Sequence, residues 1–207
     1  MPNSRVTAWV ETLADRLREL RLYMRAEGVD TISRRYFVMN AFDGAMTILS
    51  IVVGLHVAGD VDPRMVLSVG LASCVAMGIS GVAGAFMTER AERLRRLKEL
   101  EDSMLTSLRN SVYNYAFQLA SVYVALIDGL APIFAASIPL SPFILAVLGV
   151  HLPVGEAYLS IALNLAMLFS LGVFLGKVSK ESLVASGFKM LAVGCITLLL
   201  CAVTGLL

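Results

Sequence analysis

Charge is scarce in this sequence, and histidine and cysteine are scarcer still. Charged residues make up 16% of 207 and hydrophobic residues 57%, with a mean hydropathy of +0.78, a balance outside the range of soluble domains of this size. The two histidines, His56 and His151, stand alone, and the three cysteines, Cys74, Cys195 and Cys201, lie in apolar runs. None has the close Cys/His spacing of a structural zinc site, so the cysteines read as small core residues. There is no phosphate-binding loop, no nucleophile with an orienting base and no nucleotide fingerprint, which argues against an enzyme and against ATP-driven pumping by this chain alone. The formal charge is only +1, from 17 basic and 16 acidic residues, so nothing points to nucleic acid as a partner. No secretory leader pattern is visible, and the mature protein is expected to be the whole chain.

What remains is a set of long apolar runs. A membrane-crossing helix needs about 20 mostly apolar residues to cover about 30 Å of hydrocarbon. Runs of that kind are expected at 36–58, 65–87, 112–136, 154–176 and 183–207. The second has no breaker at its inner end and is expected to continue into water through the charged stretch 88–111. Pro139 and Pro142 interrupt the third, leaving 143–150 either a bent continuation or a shallow re-entrant piece. Gly78, Gly81 and Gly84 in the second span, and Gly172 with Gly176 in the fourth, allow close helix packing. Before the first span, Val6, Trp9, Val10, Leu13, Leu17, Leu20 and Met24 recur at helical spacing, predicting an amphipathic helix outside the membrane core. The expected fold is therefore an all-α, polytopic membrane protein, with residues 1–33 as an N-terminal cytoplasmic helix and 34–207 as a five-span domain.

Orientation follows from the basic residues. Sixteen of the 17 fall on one side of such a layout, leaving only Arg64 on the other. The positive-inside rule makes that side cytoplasmic, with the N-terminus inside and the C-terminus outside. A prokaryotic plasma membrane is the expected location.

Two carboxylates stand inside the runs, Asp43 in Phe42-Asp43-Gly44 and Asp128 in Ile127-Asp128-Gly129. An intramembrane ionisable group costs at least about 2.5 kcal/mol and marks a functional site by default. Asp43 is expected roughly 12 Å in from Arg35, near the level of Met77, with Asp128 deeper. Asn40 shares a face with Asp43 at i, i+3, and either Met39 or Met46 offers a thioether. Carboxylate, amide and thioether suit iron(II) or manganese(II) better than sodium or potassium. The competing reading is a hydrogen bond within the bundle or a buried pair with a cation. For Asp128 it has a specific form: Pro132, one turn later, leaves backbone groups that a polar side chain satisfies. In the charged stretch, Glu89, Glu92, Glu99 and Asp102 line a helix as a possible cation-collecting site, yet Glu89/Arg93 and Glu92/Arg96 are also ordinary i, i+4 ion pairs.

The run Asn40-Ala-Phe-Asp-Gly-Ala-Met-Thr, the segment Ala76-Met-Gly-Ile-Ser-Gly with its charged continuation, Asp128-Gly-Leu-Ala-Pro132, and Leu171 to Lys177 through Ser186 to Gly194 together resemble the vacuolar iron transporter family, in the same order over 34–207. The resemblance implies export of iron(II) or manganese(II) in exchange for protons, by a homodimer whose second helix carries metal-binding glutamates into the cytosol. Asp43 and Met77 match the family's first-helix aspartate and second-helix methionine. Gly81 and Val69 stand where the family commonly has acids, and Asp128 where it tends to have glycine, which suggests a divergent branch with Asp128 as a replacement carboxylate. The implied partners are divalent metal ions, the lipid bilayer and a second copy of the chain, with no resident cofactor. A transporter of another substrate and a membrane scaffold holding a partner on its cytoplasmic helices are the alternatives.

Overall fold

The computed structural model of the chain describes residues 28–59, 62–108, 112–150, 153 and 155–205. The expected N-terminal amphipathic helix and His151 lie outside them. The described residues form five helices and no strand: α1 (Val29–Val57), α2 (Pro63–Met104), α3 (Val112–Val147), α4 (Glu156–Ser179) and α5 (Leu183–Gly205). All five are long and apolar enough to cross a membrane. The protein is an all-α polytopic membrane protein.

Local chemistry sets the helix ends. Gly28, at φ +64°, turns the chain into α1, and its carbonyl accepts from the N–H groups of Thr31 and Ile32. That start lies seven residues before the expected first span at Tyr36, because the polar turn around Asp30 and Arg34 is helical without being apolar. Pro63 opens α2 at a position where its missing N–H costs nothing, and Asp62 Oδ1 accepts from the Arg64 N–H at 3.0 Å. α2 then runs for 42 residues, about 63 Å at 1.5 Å per residue. It is an apolar span continued by a charged extension, as its sequence predicts. Lys180, in the left-handed conformation at φ 59°, ends α4 while the Glu181 N–H bonds back to the Gly176 carbonyl.

α3 runs past the end of the span expected at 112–136. Pro139 and Pro142 do not end it, and of the two expectations for 143–150 the continuation holds, since 143–147 belongs to the same helix. A proline inside a membrane helix removes the donor to the carbonyl four residues earlier, and such breaks persist where another group supplies a donor. Pro142 frees the Ile138 carbonyl, which accepts from Ser141 Oγ at 2.7 Å. Ser160 of α4 donates to the Pro139 carbonyl at 2.6 Å.

The chain divides into two compact units. One combines the residues up to Tyr36 with Ala83–Ile127, and Val29, Ala120 and Val124 are buried at its centre. The other combines Phe37–Val82 with Asp128–Leu207. Its core packs Ala41, Ala45, Leu49 and Val53 of α1 with Ala131 and Ala135 of α3 and Leu168 and Leu171 of α4. A neighbouring cluster joins Ile48 and Val52 to Val66, Cys74, Leu140 and Phe143.

The glycines named from the sequence do not all act alike. A Cβ at Gly172 would lie 2.5 Å from the Ser186 carbonyl oxygen and 2.8 Å from Gly187 Cα, and one at Gly176 would lie 2.9 Å from the Ser186 side chain. A Cβ at Gly78 would lie 2.9 Å from the Gly129 carbonyl oxygen. Gly84 meets nothing within 4 Å among the described residues, so its expected packing role is not realised there. Gly172→Val should therefore cost about 1–3 kcal/mol by overpacking against backbone. Gly84→Ala should be neutral or stabilising by up to about 1 kcal/mol. Thermal unfolding of the two variants in detergent distinguishes them, and equal losses would contradict this packing.

Candidate metal path in the membrane

The intramembrane polar residues of α1, α2 and α3 meet because of one backbone defect. Pro132 has no N–H, so the Asp128 carbonyl loses its helical donor. Asn40 of α1 replaces it, its Nδ2 donating to the Asp128 carbonyl at 3.1 Å. One turn further along both helices Gly44 lies against Pro132, where an added Cβ would stand 2.7 Å from Pro132 Cα. The pairs Asn40/Asp128 and Gly44/Pro132 thus fix α1 and α3 side by side and in register.

That register corrects the depth expected for Asp128. It lies at the level of Asn40, one turn nearer the basic side than Asp43, not deeper. The physical reason is the length of α3 that precedes it: residues 114–127 belong with the charged end of α2 in the other unit, so counting from the start of α3 overstates depth.

Asp128 is 5% exposed. Its carboxylate and the Asn40 amide both reach over Gly81 of α2, where a Cβ would lie 2.8 Å from Asn40 Nδ2 and 3.1 Å from Asp128 Oδ2. Gly81 leaves the space that these two side chains fill. Asp43, by contrast, is exposed on α1, one turn from Asn40. Met77 sits one helical turn from Gly81, its sulfur accepting from the Thr47 hydroxyl at 3.5 Å. Thr47 follows Asp43 by one turn, so Met77 is near the Asp43 level, as expected from the sequence, though displaced outward.

Sequence reasoning passed over two polar residues of this region. Thr47 was legible from its i, i+4 spacing to Asp43. Asn164, inside an apolar run of α4, is 1% exposed, and its Nδ2 donates to the Ala45 carbonyl at 2.9 Å. A lone amide in a membrane helix was the available signal.

The charged extension of α2 is organised by arginines. Glu89 is buried and paired with Arg93 at 3.2 Å. Glu92 accepts from Arg95 at 2.8 Å and from Arg96 at 3.3 Å, and Arg95 also reaches Glu99 at 3.3 Å. The Arg95 hydrogen bond, helped by Arg96 against a smaller desolvation, holds the Glu92 carboxyl below its ordinary value. Among the described residues no three His, Cys, Asp or Glu side chains gather as a metal cluster. Glu89, Glu92, Glu99 and Asp102 are therefore not brought together, and three of the four are engaged by guanidinium groups.

Residues 34–123 match the model of the VIT family. An uncharacterized protein of Methanocaldococcus jannaschii is 33% identical over 170 residues, covering 81% of this chain and 85% of the relative. The chain belongs to the VIT family. VIT membership makes movement of metal ions across a membrane its class of function. The family match begins at the two arginines before the first apolar run and includes Asn40, Asp43, Met77 and the whole α2 extension. Asp128 lies beyond it.

Two substitutions separate the structural from the chemical side of this region. Gly44→Ala drives a Cβ into backbone and should cost about 1–3 kcal/mol. At Gly81→Ala the obstructing atoms are side-chain ends, which can yield, so stability should fall by less than about 1.5 kcal/mol while the amide and carboxylate are displaced. Unfolding midpoints in detergent measure both, and a larger loss at Gly81 than at Gly44 would contradict the packing described.

Proposed function

We propose that this VIT-family protein is a secondary transporter of divalent transition metal, iron(II) or manganese(II), which it moves out of the cytoplasm in exchange for protons. The observation that carries the reading is the pair of intramembrane carboxylates, Asp43 and Asp128, on helices held in register by Asn40, with the Met77 thioether nearby. From the basic side a cation meets Asp128 first, then Asp43, then Met77. Hard oxygen and soft sulfur along one route favour iron(II) and manganese(II) over calcium or magnesium. Each carboxylate that releases a metal ion is free to take a proton, which is the elementary step of an antiporter. Asn40 serves as a positioning group through its amide nitrogen, with its oxygen left to face a cation.

The working unit in this reading is a homodimer. Asp43 is exposed in the single chain, beside Met39 at 58% exposure. A carboxylate facing hydrocarbon is costly, so this face of α1 is turned to water or to a second copy. The apolar part of α2 is also sparsely covered, with 22% of its spanning window buried. The glutamates of the extension act by exchanging arginine for metal, a weaker role than a preformed collecting site.

Uptake into proteoliposomes holding a metal-sensitive dye tests the proposal. Iron(II), manganese(II) and cobalt(II) should enter faster than calcium, and a pH gradient should drive the flux. Asp43→Asn should lower that flux by at least about tenfold, equivalent to about 1.4 kcal/mol, and Asp128→Asn should weaken its dependence on the gradient. Flux that is indifferent to Asp43→Asn, or equal for calcium, would overturn the reading.

A further inference from the structure

At the charged end of the first unit, α2 and α3 form a small cleft of about 50 Å³, open on one side, lined by Arg90, Arg93 and Leu97 of α2 and by Asn114, Phe117 and Gln118 of α3. On each helix these residues belong to one face, at i, i+3 or i+4, and i+7 spacing. The cleft begins two residues beyond Thr88, where α2 passes from apolar to charged sequence. It therefore stands at the level where lipid headgroups meet hydrocarbon, on the basic side of the membrane.

Its two cations differ. Arg93 is 3% exposed, ion-paired with Glu89 at 3.2 Å and set over the Phe117 ring at 5.9 Å from its centroid, so its charge is largely met within the protein. Arg90 is exposed, makes no ion pair among the described residues, and has the Phe86 ring 5.9 Å away. A guanidinium fork with the Gln118 amide in the same lining suits a phosphate oxygen pair. The other wall is apolar, formed by Leu97 and Phe117. Beyond Gln118 the same face of α3 continues toward the membrane as Val122 and Leu126, 43% and 51% exposed. A free phosphate ion would use only the polar half of this surface. A phospholipid would use both, headgroup at Arg90 and acyl chain along Val122 and Leu126.

We propose that this cleft is a binding site for the phosphodiester headgroup of an anionic phospholipid, anchored by Arg90 and shaped by Gln118, Asn114 and Phe117. The site is independent of the metal path and of the transport reading. Its occupant ties the base of the α2 extension to α3, and so stabilises the junction between the spanning and charged parts of α2.

Thermal unfolding of the full chain in neutral detergent tests this, with added phosphatidylglycerol, phosphatidylcholine or glycerol 1-phosphate. Phosphatidylglycerol should raise the unfolding midpoint by a few degrees, roughly 2–4 °C for a chain of this size, and the other two additions should not. Arg90→Gln should lose more than half of that rise. Arg95→Gln, which alters an exposed cation on the same helix outside the cleft, should keep it. The same rise in Arg90→Gln as in the unmodified chain, or an equal loss in Arg95→Gln, would overturn the site. A rise with glycerol 1-phosphate alone would replace the lipid by a soluble anion, and no rise with phosphatidylglycerol would remove it. None of these outcomes depends on metal flux.

Discussion

One carbonyl without its helical donor governs the intramembrane arrangement of this protein. Pro132 leaves the Asp128 carbonyl unsatisfied in a solvent that offers it nothing, and the Asn40 amide on α1 supplies the missing hydrogen bond. Because Gly44 lets α1 lie directly on Pro132 one turn later, the two helices are fixed in both distance and register. Asp128 stands at the level of Asn40 as a result, one turn from Asp43. Gly81 on α2 completes the arrangement by leaving room for the side chains that this register directs toward it.

The same logic of satisfaction extends along α3. Three prolines interrupt its backbone hydrogen bonding, yet it remains one helix through Val147, because Ser141 and Asn40 replace two of the missing donors. In water such breaks are easily hydrated and tend to end a helix. In a membrane protein the side chains of neighbouring helices must meet them, and each repair then becomes a specific contact between elements. Charge is handled with similar economy in α2. Its extension holds glutamates and arginines at i, i+3 and i+4 spacing, and they neutralise one another before any external cation is involved. Arg90, at the membrane boundary, makes no ion pair among the described residues.

Much of this was legible in the amino-acid sequence. The five runs, the uninterrupted passage of α2 into its charged extension, the two intramembrane aspartates and the nearness of Met77 to the Asp43 level all follow from hydropathy and 1.5 Å per residue. The possibility that Pro132 requires a polar partner was also readable. That the partner is Asn40, on a helix 88 residues earlier, was not, because hydropathy says nothing about which helices adjoin. The depth of Asp128 was misjudged for a related reason. A helix that pairs with a charged extension begins before the membrane does, so the first residues of α3 do not mark the crossing point. The pairing of Glu92 and Glu99 with Arg95 was readable as spacing but not as an outcome, since collecting metal and pairing with arginine use the same residues.

The central claim is that Asn40 exists on α1 to satisfy the carbonyl that Pro132 frees. A double-mutant cycle between Asn40→Ala and Pro132→Ala, read as unfolding free energy in detergent, tests it most directly, since Pro132→Ala restores the helical donor. The account predicts that Asn40→Ala costs about 1–2 kcal/mol more in the native background than in the Pro132→Ala background. The same cost in both backgrounds would mean that the two residues act independently, and would contradict the account.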